Sequence, residues 1–230
     1  MYQINNTQSQ TEVLVRQNTL IRQVYAWMGL GLAITAIMSL VMVSSPVLLK
    51  AIVTNRPLFY GLMIGELALV FTLSAAVNRL SNTVATLLFL GYSLLNGVTL
   101  SIIFLVYTAE SIGSTFVVTA AMFGAMSVYG YVTKKDLTSW GSFLFMGLIG
   151  VVIASVVNIF LRSDSVSWVV SAIGVIVFTG LTAYDTWKLK ELAAAGHEGR
   201  KPAILGALTL YLDFINLFLM LLRFMGGRRD

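Results

Sequence analysis

Long apolar stretches alternate with short polar connections along most of this chain. There are seven such stretches, and each is close to the roughly 20 residues that a helix needs to cross a bilayer. They cover residues 25–43, 58–77, 84–107, 112–132, 140–161, 166–187 and 203–225. A chain in hydrocarbon must satisfy its own backbone hydrogen bonds, so each stretch predicts a membrane-spanning α-helix. The pattern therefore predicts an all-α integral membrane protein, with a seven-helix transmembrane domain at residues 24–230 and a polar tail at residues 1–23.

The composition supports this class of protein. Hydrophobic residues make up 57% of the chain and charged residues 11%, whereas a soluble domain carries about 25% charged residues. The net charge of +5 would suggest nucleic acid binding in a soluble protein. Here the basic residues lie between apolar stretches, so we interpret them as signals that set the topology. We expect the lipid bilayer as a partner, and no nucleic acid.

The sequence shows no pattern of catalytic or cofactor chemistry. It contains no cysteine, which excludes disulfides, thiolate nucleophiles and thiolate metal sites. The single histidine, His197, lies in a charged connection. There is no phosphate-binding Walker loop, no nucleotide-binding glycine pattern and no zinc-binding His-Glu-x-x-His motif. We therefore expect neither an enzyme nor a resident cofactor.

The polar tail and the basic residues together predict the orientation. The tail is rich in Gln and Asn and has little hydrophobic periodicity, so we expect it to be disordered or interfacial. Nine Lys and Arg residues lie on the tail's side of the membrane and six on the other. The first group is Arg16, Arg22, Arg79, Lys134, Lys135, Lys188, Lys190, Arg200 and Lys201; the second is Lys50, Arg56, Arg162, Arg223, Arg228 and Arg229. This excess predicts a multi-pass protein with a cytoplasmic amino terminus and, after seven spans, a carboxyl terminus outside.

Three carboxyl side chains fall within or at the rim of the apolar stretches: Glu66, Asp185 and Asp213. Placing an ionised carboxylate in hydrocarbon costs at least about 2.5–3.5 kcal/mol, so such residues usually face protein or water and have a function. No Lys, Arg or His lies deep in any of the stretches. The three carboxyl groups therefore hold protons, pair with arginines at the rim, or contact cations and water.

Asp213 lies on a polar helical face near the middle of the last stretch. Thr209 precedes it by four residues and Asn216 follows it by three, which places all three on one side of the helix. We interpret Thr209 and Asn216 as supporting polar residues that form packing hydrogen bonds. For Asp213 we favour a functional role, because a carboxylate is a costly way to join helices.

Asp185 lies near the end of the sixth stretch, with Thr182 three residues before it and Lys188 three after it. One interpretation is an interfacial ion pair with Lys188. The other is a pair with Asp213, which requires that the sixth helix extend past Asp185 or that the seventh start after Ala203. Two carboxyl groups at close range cannot both ionise cheaply, so such a pair shares a proton and forms a proton sensor. When deprotonated, it offers oxygen ligands that suit calcium.

Other polar and small residues in the spans are expected to serve helix packing. Asn96 and Thr99 are three residues apart and can form packing hydrogen bonds. Gly61 and Gly65 are four residues apart, a spacing that lets helices approach closely within a bundle, and Gly174 is interpreted in the same way.

The end of the chain resembles a known family. Residues 209–218, Thr-Leu-Tyr-Leu-Asp-Phe-Ile-Asn-Leu-Phe, resemble the signature of the Bax inhibitor-1 family, also called the transmembrane Bax-inhibitor-motif family. Further similar segments are 184–186 (Tyr-Asp-Thr), 134–137 (Lys-Lys-Asp-Leu) and 113–116 (Gly-Ser-Thr-Phe). The resemblance covers nearly all of the chain after about Arg22, and the short tail resembles the bacterial branch.

The resemblance implies a fold and an activity. The fold is a seven-helix bundle in which the last helix is central, enclosed by the other six. The activity is a pH-sensitive calcium leak gated by paired aspartates, which by motif are Asp185 and Asp213 and would also bind calcium transiently. Glu66 stands where the family commonly has an acid, and is expected to line the ion path. An arginine of the second span serves as a latch in such proteins, and Arg79 is the nearest candidate.

Three functions are therefore carried forward. The leading hypothesis is a proton-gated calcium (cation) leak channel of the bacterial cytoplasmic, or inner, membrane, with calcium and protons as its ligands. The second is a non-conducting membrane regulator that binds a membrane protease or another partner through residues 1–23. The third is a proton-coupled cation exchanger, which differs from a leak in showing saturable counter-transport.

Overall fold

The computed structural model describes residues 2–77, 79–197 and 199–229, with side chains from Gln10 onward. Within these ranges the protein is all-α, with nine helices and no strand. They are α1 (Tyr2–Ser44), α2 (Pro46–Thr54), α3 (Arg56–Ala76), α4 (Asn82–Leu100), α5 (Ile103–Val106), α6 (Ala109–Val132), α7 (Thr138–Leu161), α8 (Asp164–Ala194) and α9 (Arg200–Met225).

The prediction of seven membrane-spanning helices is confirmed. The seven helical segments that are long and apolar enough to cross a bilayer are 10–44, 56–76, 82–106, 109–132, 138–161, 164–194 and 200–225. The third of these combines α4 with the short α5. The last span, α9, is the most buried of the seven, in agreement with the expected central position of the last helix.

The amino-terminal segment differs from the expected disordered tail. Helix α1 begins at Tyr2, and Met1 lies outside the described residues. Leu20 is only 1% exposed, and the side-chain amide of Gln17 donates a 3.4 Å hydrogen bond to the carbonyl of Lys190. No Pro or Gly interrupts the chain before Gly29, so nothing in the sequence breaks this helix. For the described part of residues 1–23 this helix excludes disorder, and the interfacial alternative stays a prediction.

Polar side chains set the beginnings of several helices at the ends of the spans. The Oγ of Ser81 accepts a hydrogen bond from the backbone amide of Val84, which caps α4. Before α7, Asp136 accepts hydrogen bonds from both the hydroxyl and the backbone amide of Thr138. These two hydrogen bonds hold the pKa of the exposed Asp136 below its ordinary value. Short polar sequences of this kind therefore stop one span and start the next.

The described chain divides into two compact units, and the first is formed by Met1–Val106 and Leu189–Tyr211. In it, α1 and α3 both pack against α4. The contact with α1 is close at Gly97, where an added Cβ would lie 2.6 Å from the carbonyl oxygen of Thr35. A side chain larger than hydrogen at position 97 would therefore separate α1 from α4.

The second unit is formed by Tyr107–Lys188 and Leu212–Asp230. Here glycines bring the backbones close to α8: Gly130 of α6 faces the carbonyl of Ala183, and Gly141 of α7 faces the ring of Tyr184. Gly174 packs against Met220, as the sequence predicted. Gly61 and Gly65 of the first unit are different. An added Cβ at either would meet nothing within 4 Å, so the expected packing role is wrong for this pair.

Candidate functional site

The two aspartates lie together in the second unit. Helix α8 continues past Asp185 to Ala194, which is the condition that the sequence set for their meeting. The carboxyl groups of Asp185 and Asp213 form a side-chain hydrogen bond. Asp213 is 5% exposed, whereas Asp185 is half-buried. The structure thus joins α8 to α9 through two carboxyl groups.

The hydrogen bond between these carboxyl groups has a chemical consequence. An ionised carboxylate has only acceptor oxygens, so one of the two groups must carry a proton to act as the donor. A hydrogen bond between Asp185 and Asp213 therefore requires at least one proton on the pair. Loss of that proton would turn an attractive contact into a contact between like charges.

The surroundings of Asp185 include one basic side chain. The charge of Lys188 interacts with Asp185, and its Nζ lies 5.8 Å from the centroid of the Tyr184 ring. Lys188 itself is exposed. The charge of Lys188 therefore acts on Asp185, and the interfacial ion pair between these two residues stays a prediction.

The polar residues that accompany the aspartates bond to their own helices. Thr182 donates to the carbonyl of Phe178 at 2.8 Å, and Thr209 donates to that of Leu205 at 3.1 Å. Asn216 donates to the carbonyl of Leu212 at 2.8 Å. These hydrogen bonds satisfy each donor without a second helix. A supporting role for Thr182, Thr209 and Asn216 at the aspartate pair stays a prediction.

Three buried oxygen atoms of the second unit have no hydrogen-bond partner among the residues that the structure describes. They are Oδ2 of Asp213, Oγ of Ser127 on α6 and Oγ1 of Thr179 on α8. Buried polar atoms without a partner are rare in proteins and are found at functional sites. The sequence did not single out Ser127 or Thr179, since lone hydroxyl residues are common in membrane helices.

Glu66 belongs to the first unit and is half-buried on α3. The hydroxyl of Thr99 donates to its Oε1 at 2.7 Å, and the side chain of Asn96 forms a further hydrogen bond to it. Both partners lie on α4. The packing hydrogen bonds that the sequence predicted for Asn96 and Thr99 therefore have a carboxyl group as their partner.

The same network continues to the last helix. The hydroxyl of Tyr211, which is fully buried on α9, donates to Oδ1 of Asn96 at 3.0 Å and lies 2.6 Å from Oγ1 of Thr35 on α1. The rings of Phe89 and Tyr92 pack edge-on against the Tyr211 ring. The sequence did not single out Tyr211. The available signal was a tyrosine, whose hydroxyl needs a partner when buried, in the apolar middle of the last span.

Arg79 is exposed in the turn after α3, within the first unit. Asp185 belongs to the second unit. The latch role of Arg79 stays a prediction.

The fold and these buried carboxyl groups define the class: an all-α integral membrane protein with seven spans and ionisable side chains within them. The profile of the family described as inhibitor of apoptosis-promoting Bax1 matches residues 17–230. The chain belongs to this family, so the resemblance read from residues 209–218 is confirmed.

Bacterial relatives are similar over nearly the whole chain. Inner membrane protein YbhL of Escherichia coli (strain K12) is 56% identical over 216 residues, which are 92% of each protein. An uncharacterised protein of Borreliella burgdorferi is 43% identical over 231 residues, or 99% of each chain. An uncharacterised protein of Rickettsia prowazekii is 44% identical over 214 residues, which cover 90% of this chain and 89% of that protein.

Proposed function

We propose that this protein is a pH-sensitive calcium leak channel in which Asp185 and Asp213 form the proton-sensitive gate. The observation that carries the proposal is the hydrogen bond between their carboxyl groups, which joins α8 to α9 inside the second unit. A residue of this kind within a membrane span is expected to be functional, and here two of them share one contact.

The gate has two states that differ by a proton. With the proton present, the carboxyl groups attract each other and hold the two helices together. Without it, two like charges about 4 Å apart repel by about 1 kcal/mol in water and about 4 kcal/mol at the effective dielectric constant of a protein surface. A free-energy change of this size shifts a two-state equilibrium between closed and open forms by about fivefold at the lower value and by more than tenfold at the higher value.

The permeant ion is calcium. Carboxylate oxygens are hard ligands that suit calcium, and the unprotonated pair of Asp185 and Asp213 supplies them for transient binding. Oδ2 of Asp213 is buried and has no other partner among the described residues, so it is free to accept a proton or contact a cation. Glu66, held by Thr99 and Asn96, is the third carboxyl group and lines the ion path.

The proposed location is the bacterial cytoplasmic (inner) membrane, which the name of the YbhL relative supports. The amino terminus is cytoplasmic, from the excess of basic residues on that side. The protein transports rather than catalyses a reaction, and its ligands are calcium ions and protons. Arg79 is the candidate latch residue.

Calcium flux into liposomes tests the proposal. The purified protein is reconstituted with a calcium indicator inside, and the initial rate is measured from about pH 5 to pH 8, where a shared carboxyl proton would be exchanged. We expect a flux that depends on pH in the wild type and is nearly independent of pH in Asp185→Asn and Asp213→Asn. Asp164→Asn, at an exposed position at the start of α8, is the matched control and should keep the wild-type profile.

Three results would contradict parts of the proposal. Unchanged pH dependence in both Asn variants would exclude the aspartate pair as the gate. No flux at any pH would favour the non-conducting regulator. Saturable calcium flux that requires an opposing proton gradient would favour the exchanger over the leak.

A further inference from the structure

A chain of hydrogen bonds connects four helices of the first unit, α1, α9, α4 and α3, and ends at a carboxyl group. From α1 to α3 it runs from Thr35 to Tyr211, from Tyr211 to Asn96, and from Asn96 to Glu66. Thr35, Asn96 and Tyr211 are all buried, with exposed fractions of 4%, 7% and 0%. Among the four side chains Thr35, Tyr211, Asn96 and Glu66, only that of Glu66 ordinarily carries a charge near neutral pH.

The orientation of the Asn96 amide determines the direction of these hydrogen bonds. The Tyr211 hydroxyl donates to Oδ1 of Asn96, so this amide presents its Nδ2 to its other neighbours. Nδ2 lies 3.5 Å from the hydroxyl of Tyr92, and the remaining donor is directed at Glu66. With Thr99 also donating to Oε1, Glu66 receives two donors and acts as an acceptor, which is the behaviour of an ionised carboxylate.

The same atoms allow a second, reversed pattern. A protonated Glu66 can donate to Oδ1 of a rotated Asn96, and the Asn96 Nδ2 then donates to the Tyr211 oxygen. Tyr211 in turn donates to Oγ1 of Thr35. The Thr35 hydroxyl can then donate its own hydrogen bond, because its Oγ1 lies 3.0 Å from the carbonyl oxygen of Gly31 and 2.9 Å from that of Ser93. Each link from Glu66 to Thr35 has one donor and one acceptor in both patterns, and hydrogen bonds in such chains strengthen one another.

We infer that Tyr211 and Asn96 are positioning residues that set whether Glu66 holds a proton or a cation, through the direction of this hydrogen-bond chain. The Tyr211 hydroxyl favours the ionised form of Glu66 because it occupies the carbonyl side of the Asn96 amide. The titratable side chains that interact with Glu66 are Tyr92 on α4 and Tyr211 on α9, and both phenols keep their protons near neutral pH. Tyr211 lies two residues before Asp213 on α9.

The inference deepens the proposed function, since it concerns the residue that is proposed to line the ion path. Its test does not depend on conduction. Infrared spectroscopy of the reconstituted protein detects the carbonyl band of a protonated carboxylic acid, and loss of the band in Glu66→Gln assigns it to Glu66. At a fixed pH near neutrality, we expect a larger Glu66 acid band in Tyr211→Phe than in the wild type.

Matched variants separate this role from a loss of folding. Tyr60→Phe, an exposed tyrosine on the same helix as Glu66, should leave the band unchanged. Thr35→Val removes the acceptor of the reversed pattern and keeps the Tyr211 donor, so its band should be smaller than that of the wild type. In an Asn96→Leu background, adding Tyr211→Phe should produce no further change, because the amide that links the two is gone.

The outcomes are distinct. A Glu66 acid band that is equal in Tyr211→Phe and the wild type overturns the inference, as does an equal increase in Thr35→Val. If Tyr211→Phe does not fold, Thr35→Val alone still tests the inference. A smaller Glu66 acid band in Thr35→Val, and no such decrease when Asn96→Leu is also present, support it. A band that does not decrease in Thr35→Val overturns it. A changed band without any calcium flux would contradict the proposed function and leave the positioning role of Tyr211 standing.

Discussion

At the scale of single residues, the contact between Asp185 and Asp213 is the feature with the largest consequence. Asp213 lies in an apolar span, and its hydrogen bond to a second carboxyl group compensates part of the cost of removing it from water. The compensation depends on a proton. A pair of this kind is therefore stable in one protonation state and repulsive in the other.

This dependence predicts how stability changes with pH. Because the shared proton is present in the native pair and absent from two separated, exposed carboxylates at neutral pH, raising the pH removes a stabilising contact from the native state alone. We expect the Tm of the wild type in detergent to fall as the pH rises from about 4, the ordinary carboxyl pKa in the unfolded chain, and to level off once the native pair has lost its shared proton.

In Asp213→Asn the amide can donate to Asp185 without a shared proton, so the decrease in Tm with rising pH should be much smaller. Thermal unfolding followed by intrinsic fluorescence measures the difference. Equal decreases in Tm with rising pH in the wild type, Asp213→Asn and the control Asp164→Asn would show that the pair does not share a proton.

The sequence predicted the residues of this pair but not their neighbours. A carboxylate in an apolar span is visible in the sequence because its energetic cost is high. Tyr211, Ser127 and Thr179 are ordinary residues in a membrane helix, and their importance appears only through hydrogen bonds that are made, or not made, in three dimensions. Glu66 was predicted, and its partners Asn96 and Thr99 were predicted as packing residues only.

At the scale of helices, the register of α8 decides the site. The positions of the spans follow from length and hydrophobicity, because the bilayer leaves the backbone no alternative to a helix. The end of α8 does not follow from hydrophobicity, since the last part of this helix, after Trp187, contains three charged residues, Lys188, Lys190 and Glu191. Its continuation to Ala194 is what allows Asp185 to reach α9.

Glycines of α7 test this packing. An added methyl at Gly141 would collide with the ring of Tyr184, the residue beside Asp185, whereas an added methyl at Gly150 meets nothing within 4 Å. We expect Gly141→Ala to destabilise the protein by about 1–3 kcal/mol through overpacking. Gly150→Ala, on the same helix, should be neutral or slightly stabilising, because Ala favours a helix by about 0.5–1 kcal/mol over Gly.

Equilibrium or thermal unfolding in detergent gives the comparison between the two alanine variants. If Gly141→Ala were as stable as Gly150→Ala, the close approach of α7 to Tyr184 would not be needed for the fold. The flux profile of Gly141→Ala should also change, since Tyr184 must move and Asp185 follows it in the chain.

At the scale of the whole molecule, the family, the seven spans and the buried last helix were all predictable from the sequence. The exception is the amino-terminal segment, where polar composition suggested disorder and helix α1 is found from Tyr2. Composition was a poor guide there because the segment is a continuation of a membrane helix with buried positions such as Leu20 and Val24.

This segment provides a test of the regulator hypothesis. Removal of residues 1–9 leaves the Leu20 contact intact and should not alter calcium flux or Tm, whereas a partner bound by the extreme amino terminus would be lost. Leu20→Ala should instead cost about 2–5 kcal/mol of stability, because it empties a buried site. Flux that disappears on removal of residues 1–9, with Tm unchanged, would assign these residues to the conducting machinery.

One proton shared by Asp185 and Asp213 is proposed to control a calcium leak, and this control can be measured. It is tested most directly by the ratio of calcium fluxes into liposomes at about pH 6 and pH 8, measured for the wild type and for Asp213→Asn at equal protein density. If a shared proton controls the leak, we expect a ratio that differs from one by several-fold in the wild type and lies close to one in Asp213→Asn. The same ratio in both proteins would contradict it.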